Sequence, residues 1–165
     1  KMKNIKVWKK VKKNTHKNIT QCLKDLDKKG FVLSPWIKNI YKNKKNKIIF
    51  TNKDFNLYRV KLTDLGFKKP TKLKDVYKVI KKKNFDLVSP DLALRARFLY
   101  LNQKKGEWLR FATPLNSMFD TDGIPHLPKL GRALGKYFIE TYWSYPNAIF
   151  HPHNEFVVTR KLSDQ

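Results

Sequence analysis

Histidines near the carboxyl end of the chain have the side chains best suited to acid–base chemistry. His151 and His153 flank Pro152, so in an extended segment both rings point to the same face. An imidazole titrates near neutral pH and can act as a general acid or base on RNA. With His126 and Glu107 as further candidates, these groups predict a small ribonuclease if they meet in one cleft. Solvated loop histidines are the competing interpretation.

No metal or cofactor site is predicted from the spacing of possible ligands. The sequence has neither a Cys-x-x-Cys pair nor a His-Glu-x-x-His motif, so a structural zinc ion is not expected. The segment Asp120-Thr121-Asp122-Gly123 resembles the opening of a calcium loop, but it lacks the third carboxylate and the late glutamate. We expect a turn there, because Asp and Gly suit turn conformations.

Arg97 is predicted to be buried and therefore to need a partner. Its neighbours at helical spacing, Leu94, Phe98 and Leu101, are apolar. An unpaired buried charge is costly, and Glu107 is the nearest acidic residue that follows in the sequence. We therefore predict an ion pair between Arg97 and Glu107.

Aromatic residues are concentrated in the last third of the chain, and most of them are expected in the core of a sheet. Four surround a turn at Pro146-Asn147 and are predicted to form an exposed binding surface: Tyr142, Trp143, Tyr145 and Phe150. Exposed rings beside lysines can stack on nucleic-acid bases. They can equally form a recognition surface for a protein or a ligand.

Positive charge is concentrated in the first part of the chain. The formal net charge is +24, and residues 1–90 hold 27 Lys and Arg against six Asp, whereas residues 91–165 hold ten against seven acidic residues. Self-repulsion of this size is relieved by a polyanion, which predicts nucleic-acid binding. Ten lysines in three groups are the predicted phosphate contacts: Lys9, Lys10, Lys12, Lys13, Lys42, Lys44, Lys45, Lys81, Lys82 and Lys83.

The lysine excess also has two alternative explanations. Lysine outnumbers arginine by 31 to 6, and an A/T-rich genome would favour lysine codons without selection for binding. An acidic membrane or protein partner is the second alternative.

No apolar run approaches the roughly 18 residues of a membrane span, and no secretory signal is recognised. A single cysteine, Cys22, excludes internal disulfides, so a cytoplasmic location is expected.

Helix and strand signals predict an α+β fold. Capping residues and apolar periodicity predict helices from Thr15 or Asn18 to Lys29, from Ser34-Pro35 to Tyr41, over 72–83 behind Thr71, and from Ser89-Pro90 to Leu101. Strands are predicted at 6–11, 55–62, 108–112, 136–143 and 155–160. This order predicts N-terminal helical segments with short strands and a small antiparallel sheet at the C-terminal end. The predicted organisation is a basic helical region over 1–60 and an α+β domain over 61–165, or one continuous domain.

Several segments together resemble a family of small uncharacterised bacterial proteins. They are Leu65-Gly66-Phe67, Pro90, Arg97-x-x-Tyr100-x-x-Gln103-x-x-Gly106-Glu107-Trp108-Leu109, Asp120-x-Asp122-Gly123, Trp143-x-x-Pro146 and the ending Phe156-Val157-Val158-x-Arg160. The match covers about residues 60–161, and Gly-Glu-Trp-Leu is its most specific part. The chain departs from the family pattern by its heavy lysine content and by an insertion-like segment at Leu127–Gly135.

The resemblance implies no assigned activity, but it implies a variable segment. Members of the family vary between the late tryptophan and the closing strand, which corresponds to about residues 142–154. Variation there is similar to that in variable proteins of diversity-generating retroelements and implies a diversified binding surface. We rank nucleic-acid binding first, a protein- or ligand-binding module second and a ribonuclease third.

Overall fold

A computed structural model describes residues 4–160. The described chain contains helices α1 (Ile19–Lys28), α2 (Pro35–Lys42), α3 (Leu73–Lys82) and α4 (Asp91–Arg97). Its strands are β1 (Lys9–Val11), β2 (Val32–Leu33), β3 (Phe55–Lys61), β4 (Thr71–Lys72), β5 (Phe85–Asp86), β6 (Trp108–Phe111), β7 (His126–Ala133), β8 (Lys136–Trp143), β9 (Ile149–Phe150) and β10 (Glu155–Arg160). A short 3-10 turn at Lys44–Asn46 follows α2.

Eight of the strands form one curled mixed sheet. Its order is β1-β3-β10-β6-β7-β8-β2, and β5 pairs with one end of β10. The β10–β6 and β2–β8 pairs are parallel, and the remaining pairs of this sheet are antiparallel. A separate two-stranded ribbon joins β4 to β9.

The predicted small, C-terminal antiparallel sheet is therefore wrong: a large mixed sheet dominates the molecule. The predicted strands at 108–112, 136–143 and 155–160 do form, but β1, β2 and β3 from earlier in the chain join them. The longest omission is β7, which overlaps the insertion-like segment by which the chain departs from the family that it resembles. Pro128 and Gly131 break its apolar alternation, and both residues are unfavourable inside a strand.

Local capping explains where the first two helices begin. Asn18 accepts a 2.8 Å hydrogen bond from the Gln21 backbone N–H at the start of α1, and Ser34 accepts one of 3.2 Å from the Ile37 N–H at the start of α2. Thr71, the predicted cap of α3, instead lies in β4 and pairs with β9. The fourth helix ends at Arg97, four residues before its predicted end.

The sheet separates two hydrophobic clusters. One face packs against α1, α2 and α4 through strand residues such as Leu57, Leu130 and Val157. The other packs against α3 through residues such as Val60 and Phe156. Adjacent residues of a strand belong to different clusters because side chains alternate across a sheet. Both faces therefore bury apolar surface, but α3 covers only part of the second face.

Strands from both predicted segments lie in the same sheet. The first of them, β1, pairs with β3, and β3 pairs in turn with β10 near the C-terminal end. In the part of the chain that the structure describes, no helix has the length and apolar character that crossing a membrane requires.

Candidate nucleic-acid interface

The β6–β8 part of the sheet exposes a row of aromatic and charged side chains on the face that α3 leaves partly uncovered. Residues directly opposite each other across a strand pair point to the same face. The register therefore places six half-buried side chains together, which we call the open sheet face: Trp108, Arg110, Lys129, Phe138, Glu140 and Tyr142. Toward β10 this same face continues into the core beneath α3.

Trp108 packs over a glycine of the neighbouring strand. Gly131 is its cross-strand partner, and a Cβ atom at Gly131 would lie 2.2 Å from the indole ring. Phe138, the partner of Gly131 on the other side, has its ring centre 6.0 Å from that of Trp108. The glycine therefore provides the space in which the Trp108 ring packs beside Phe138, with the two ring planes inclined at 47°.

Cations alternate with the rings along the open sheet face. The Lys129 Nζ lies 4.8 Å from the centre of the Trp108 ring and 5.3 Å from that of Tyr142. The Arg110 Cζ lies 4.3 Å from the centre of the Tyr142 ring. Cation–π contacts of this kind hold both positive groups against the ring faces.

Burial lowers the pKa values of both cations of this face. Burial lowers the pKa of Lys129, the nearby Arg110 lowers it further, and Glu140 only partly opposes these effects. Burial also lowers the pKa of Arg110, and Tyr142 opposes that shift. Both shifts disfavour the charged forms of the two groups.

The ten predicted phosphate-contacting lysines lie on three separate elements. The first group belongs to β1 and the residues that follow it, the second to the end of α2 and the 3-10 turn, and the third to the end of α3. All are exposed except Lys9, which is half-buried with its Nζ 5.6 Å from the centre of the Tyr100 ring. Their positions are consistent with phosphate contact but do not define one groove.

The predicted aromatic binding surface is only partly exposed. Trp143 is 62% exposed and Tyr145 is 44% exposed. Tyr142 is half-buried and belongs to the open sheet face. Phe150 was expected at the surface and is instead 1% exposed, because β9 packs it against Phe156 in the core beneath α3.

The three candidate histidines occupy two different environments. His126 is buried, and its Nε2 lies 2.8 Å from the Asp120 carboxylate. His151 and His153 are exposed, with ring centres 6.1 Å apart. Glu107 contacts none of them among the described residues. The ribonuclease hypothesis therefore stays a prediction, and the described contacts join only His151 with His153 among its four candidate residues.

Asp120 forms the predicted turn. Its Oδ1 accepts hydrogen bonds from the backbone N–H groups of Asp122 and Ile124, and Gly123 has a φ of 78°. Burial raises the pKa of Asp120, but the bond with His126 and these backbone bonds outweigh it, so the pKa lies below its usual range. Within residues 4–160, no three His, Cys, Asp or Glu side chains are grouped to hold a metal ion.

The predicted Arg97–Glu107 ion pair does not form. Arg97 is fully buried, but its guanidinium donates to the carbonyl oxygens of Tyr100, Gly131 and Phe138 and to Gln103 Oε1. Burial lowers its pKa to about 10. Neutral oxygens therefore accept from both terminal nitrogens of the guanidinium, where the sequence predicted a carboxylate, and the buried Nε has no hydrogen-bond partner among residues 4–160.

Glu107 instead pairs with an arginine from β3. Its Oε2 lies 3.1 Å from the Arg59 Nη2, and Tyr100 donates a 2.7 Å hydrogen bond to its Oε1. Arg59 also contacts Glu155 at 2.7 Å. Burial raises the pKa of Glu107, but bonds from Tyr100 and Arg59 outweigh it and lower the pKa overall. Arg59 and Glu107 are 48 positions apart, so the sequence did not indicate that they pair.

A second histidine–carboxylate pair, near the N-terminal end, was not predicted. His16 Nε2 lies 2.8 Å from Asp25 Oδ2, and the His16 ring stacks on Phe98 with 5.0 Å between ring centres. These residues line a pocket of about 400 Å³. His16 and Asp25 are nine residues apart and belong to no recognised motif, so the sequence did not indicate that they pair.

A scan of models of known protein families found no match to this chain, and searches of curated proteins and of solved structures found none. The resemblance to small bacterial proteins therefore stays a prediction. Several residues of the motif that carries the resemblance contact one another: Arg97 contacts Gln103, and Gln103 and Tyr100 both contact Glu107. These residues form a structural network behind the candidate interface.

Proposed function

We propose that this protein binds single-stranded nucleic acid, with bases stacked on the open sheet face and phosphates held by lysines. The observation that carries the proposal is the pair of neighbouring aromatic rings, Trp108 and Phe138, beside Lys129 and Arg110. Aromatic rings accept the face of any base, and cations neutralise the backbone that joins the bases.

The net charge of +24 supports the same proposal. Lysines on separate elements provide attraction that does not depend on base sequence, because each contacted phosphate releases a counterion. The open sheet face would add stacking, which depends on exposed bases. Together these features favour single strands over a closed duplex, whose bases are already stacked.

The test measures binding of fluorescein-labelled oligo-U and oligo-dT of about 12 nucleotides, a length within the usual site sizes, by anisotropy at several salt concentrations. Trp108→Ala should weaken binding about 5- to 150-fold, the range for loss of one stacked base, with the salt dependence unchanged. Trp108→Phe should retain most of the affinity. Trp143→Ala is the matched control and should bind as the wild type does.

Undetectable binding by the wild type at physiological salt would contradict the proposal. Equal affinity of the folded Trp108→Ala variant and the wild type would contradict the assignment of the open sheet face. Circular dichroism of each variant separates loss of binding from loss of fold.

A protein- or ligand-binding module is the second candidate function. It is favoured by the exposure of three apolar or aromatic side chains on β8, β9 and the segment between them: Trp143 at 62%, Ile149 at 48% and Tyr145 at 44%. The same oligonucleotide series discriminates the two functions. If no nucleic acid binds, this second surface becomes the candidate.

A further inference from the structure

The turn between β7 and β8 carries a leucine in an unusual position. Leu134 has a φ of 52° and is followed by Gly135 with a φ of 71°. Tight hairpin turns with two positive φ values favour Asn and Gly, because a branched side chain is strained there. Leu134 is also 92% exposed, so packing within the chain does not compensate for the strain. A strained, exposed apolar residue suggests a role outside the fold.

Three exposed lysines lie on the hairpin that carries this leucine and on the turn bonded to it. Lys136 lies two residues after it at the start of β8, and the exposed Lys104 and Lys105 form a turn on the neighbouring segment. The Gly106 N–H donates a 2.8 Å hydrogen bond to the Arg132 carbonyl oxygen, and the Arg132 side chain donates one of 2.8 Å to the Gln103 carbonyl oxygen. These bonds fix the lysine turn beside the hairpin.

The tip of the β7–β8 hairpin, formed by Leu134 and Gly135, is continuous with the open sheet face. Gly131, on which Trp108 rests, lies on the same hairpin as Leu134. The two residues are about 10 Å apart along the strand direction. About three stacked bases span a similar length. A strand stacked on Trp108 and Phe138 would therefore lead to the leucine at the tip.

We propose that the preferred ligand is the junction at which a nucleic-acid duplex opens into a single strand. Leu134 packs against the terminal base pair, Lys104, Lys105 and Lys136 contact the duplex phosphates, and the single strand continues over the open sheet face. Apolar side chains inserted at base steps, with cations on the adjacent phosphates, are an established way to hold unstacked nucleic acid. This inference rests on the proposed single-strand binding.

The test compares three ligands of equal charge: a hairpin with a single-stranded tail, a single strand and a blunt hairpin. 2-Aminopurine at the junction reports unstacking of the closing base pair. The wild type should prefer the tailed hairpin and raise the 2-aminopurine fluorescence. Leu134→Asn removes the apolar contact but suits the positive φ, so it should fold at least as stably as the wild type.

We expect Leu134→Asn to lose at least about fivefold in affinity for the tailed hairpin, the lower limit for a lost stacking contact, and to keep its affinity for the single strand. Leu134→Met, which remains apolar, should keep the junction preference. If Leu134→Asn retains that preference, the inference is wrong and the proposed function stands. If the wild type binds none of the ligands, both fail. A change only in self-association, by light scattering, would identify the tip as a protein contact and overturn the inference.

Discussion

Arg97 shows how a single side chain can connect several parts of this fold. It lies at the end of α4 and donates hydrogen bonds to β7, to β8 and to the segment that leads into β6. Its ring contacts include Tyr137, with 5.0 Å between the Arg97 Cζ and the ring centre. The planar guanidinium is suited to this task because its donors point in several fixed directions.

We expect Arg97→Lys to destabilise the protein by about 2–4 kcal/mol, even though the charge is preserved. A lysine ammonium cannot reach all four acceptors, so buried carbonyl groups would lose their donors. Urea unfolding followed by circular dichroism measures the change. Lys38→Gln, which removes a partly exposed ion pair with Asp27, is the control and should change stability by no more than about 1 kcal/mol. An Arg97→Lys variant as stable as this control would contradict the structural role.

At the scale of the element, β7 organises the candidate interface. It pairs with β6 on one side and β8 on the other, and thereby sets which side chains share the open sheet face. Its Gly131 leaves room for the Trp108 ring, and its Lys129 approaches that ring from the next position on the same face. A strand that was not predicted from the sequence therefore positions the proposed binding residues.

Gly131→Ala should displace the Trp108 ring while leaving the sheet intact. The added methyl group would lie within 2.6 Å of three indole atoms, so the ring must rotate away. We expect the Trp108 indole N–H signal to shift in ¹⁵N-edited NMR spectra and oligonucleotide affinity to fall about fivefold or more. Gly135→Asn, at an open position with positive φ, serves as the control. An unchanged indole signal in Gly131→Ala would show that the Trp108 ring does not rest on this glycine.

At the scale of the whole molecule, electrostatic repulsion opposes folding. A net charge of +24 on 165 residues raises the free energy of the compact state. The ion pairs at Asp25, Asp27 and Glu107 offset little of it, since few acidic residues are present. A bound polyanion would relieve this repulsion at many exposed lysines together.

The midpoint of thermal unfolding should therefore rise between about 10 mM and about 150 mM salt, as the screening length shortens from about 30 Å to about 8 Å. Differential scanning fluorimetry in sodium chloride measures this rise. A variant with Lys81, Lys82 and Lys83 all changed to Gln should start from a higher midpoint and respond less. A midpoint that does not change with salt in the wild type would show that the lysines repel one another too weakly to affect stability.

The sequence alone determined the charge, the starts of the first two helices and several of the strands. Asn18 and Ser34 mark helix starts because a cap depends only on the next few residues, and the later strands were predicted from alternation. Net charge needs no structure at all. The extent of the sheet was not predictable, because β3 pairs with a strand far along the chain: Arg59 of β3 contacts Glu155 of β10, 96 residues later.

Only the tertiary structure decided which residues meet. Arg97 and Glu107 were matched by proximity in sequence, yet each found other partners once β3, β7 and β8 were placed beside them. The sequence did not predict that Trp108 and Lys129 belong to one site. They meet because the register of the paired strands decides which residues are neighbours, whatever their separation in sequence. Caps and charges follow from neighbouring residues, whereas a face of a sheet exists only after distant strands have paired.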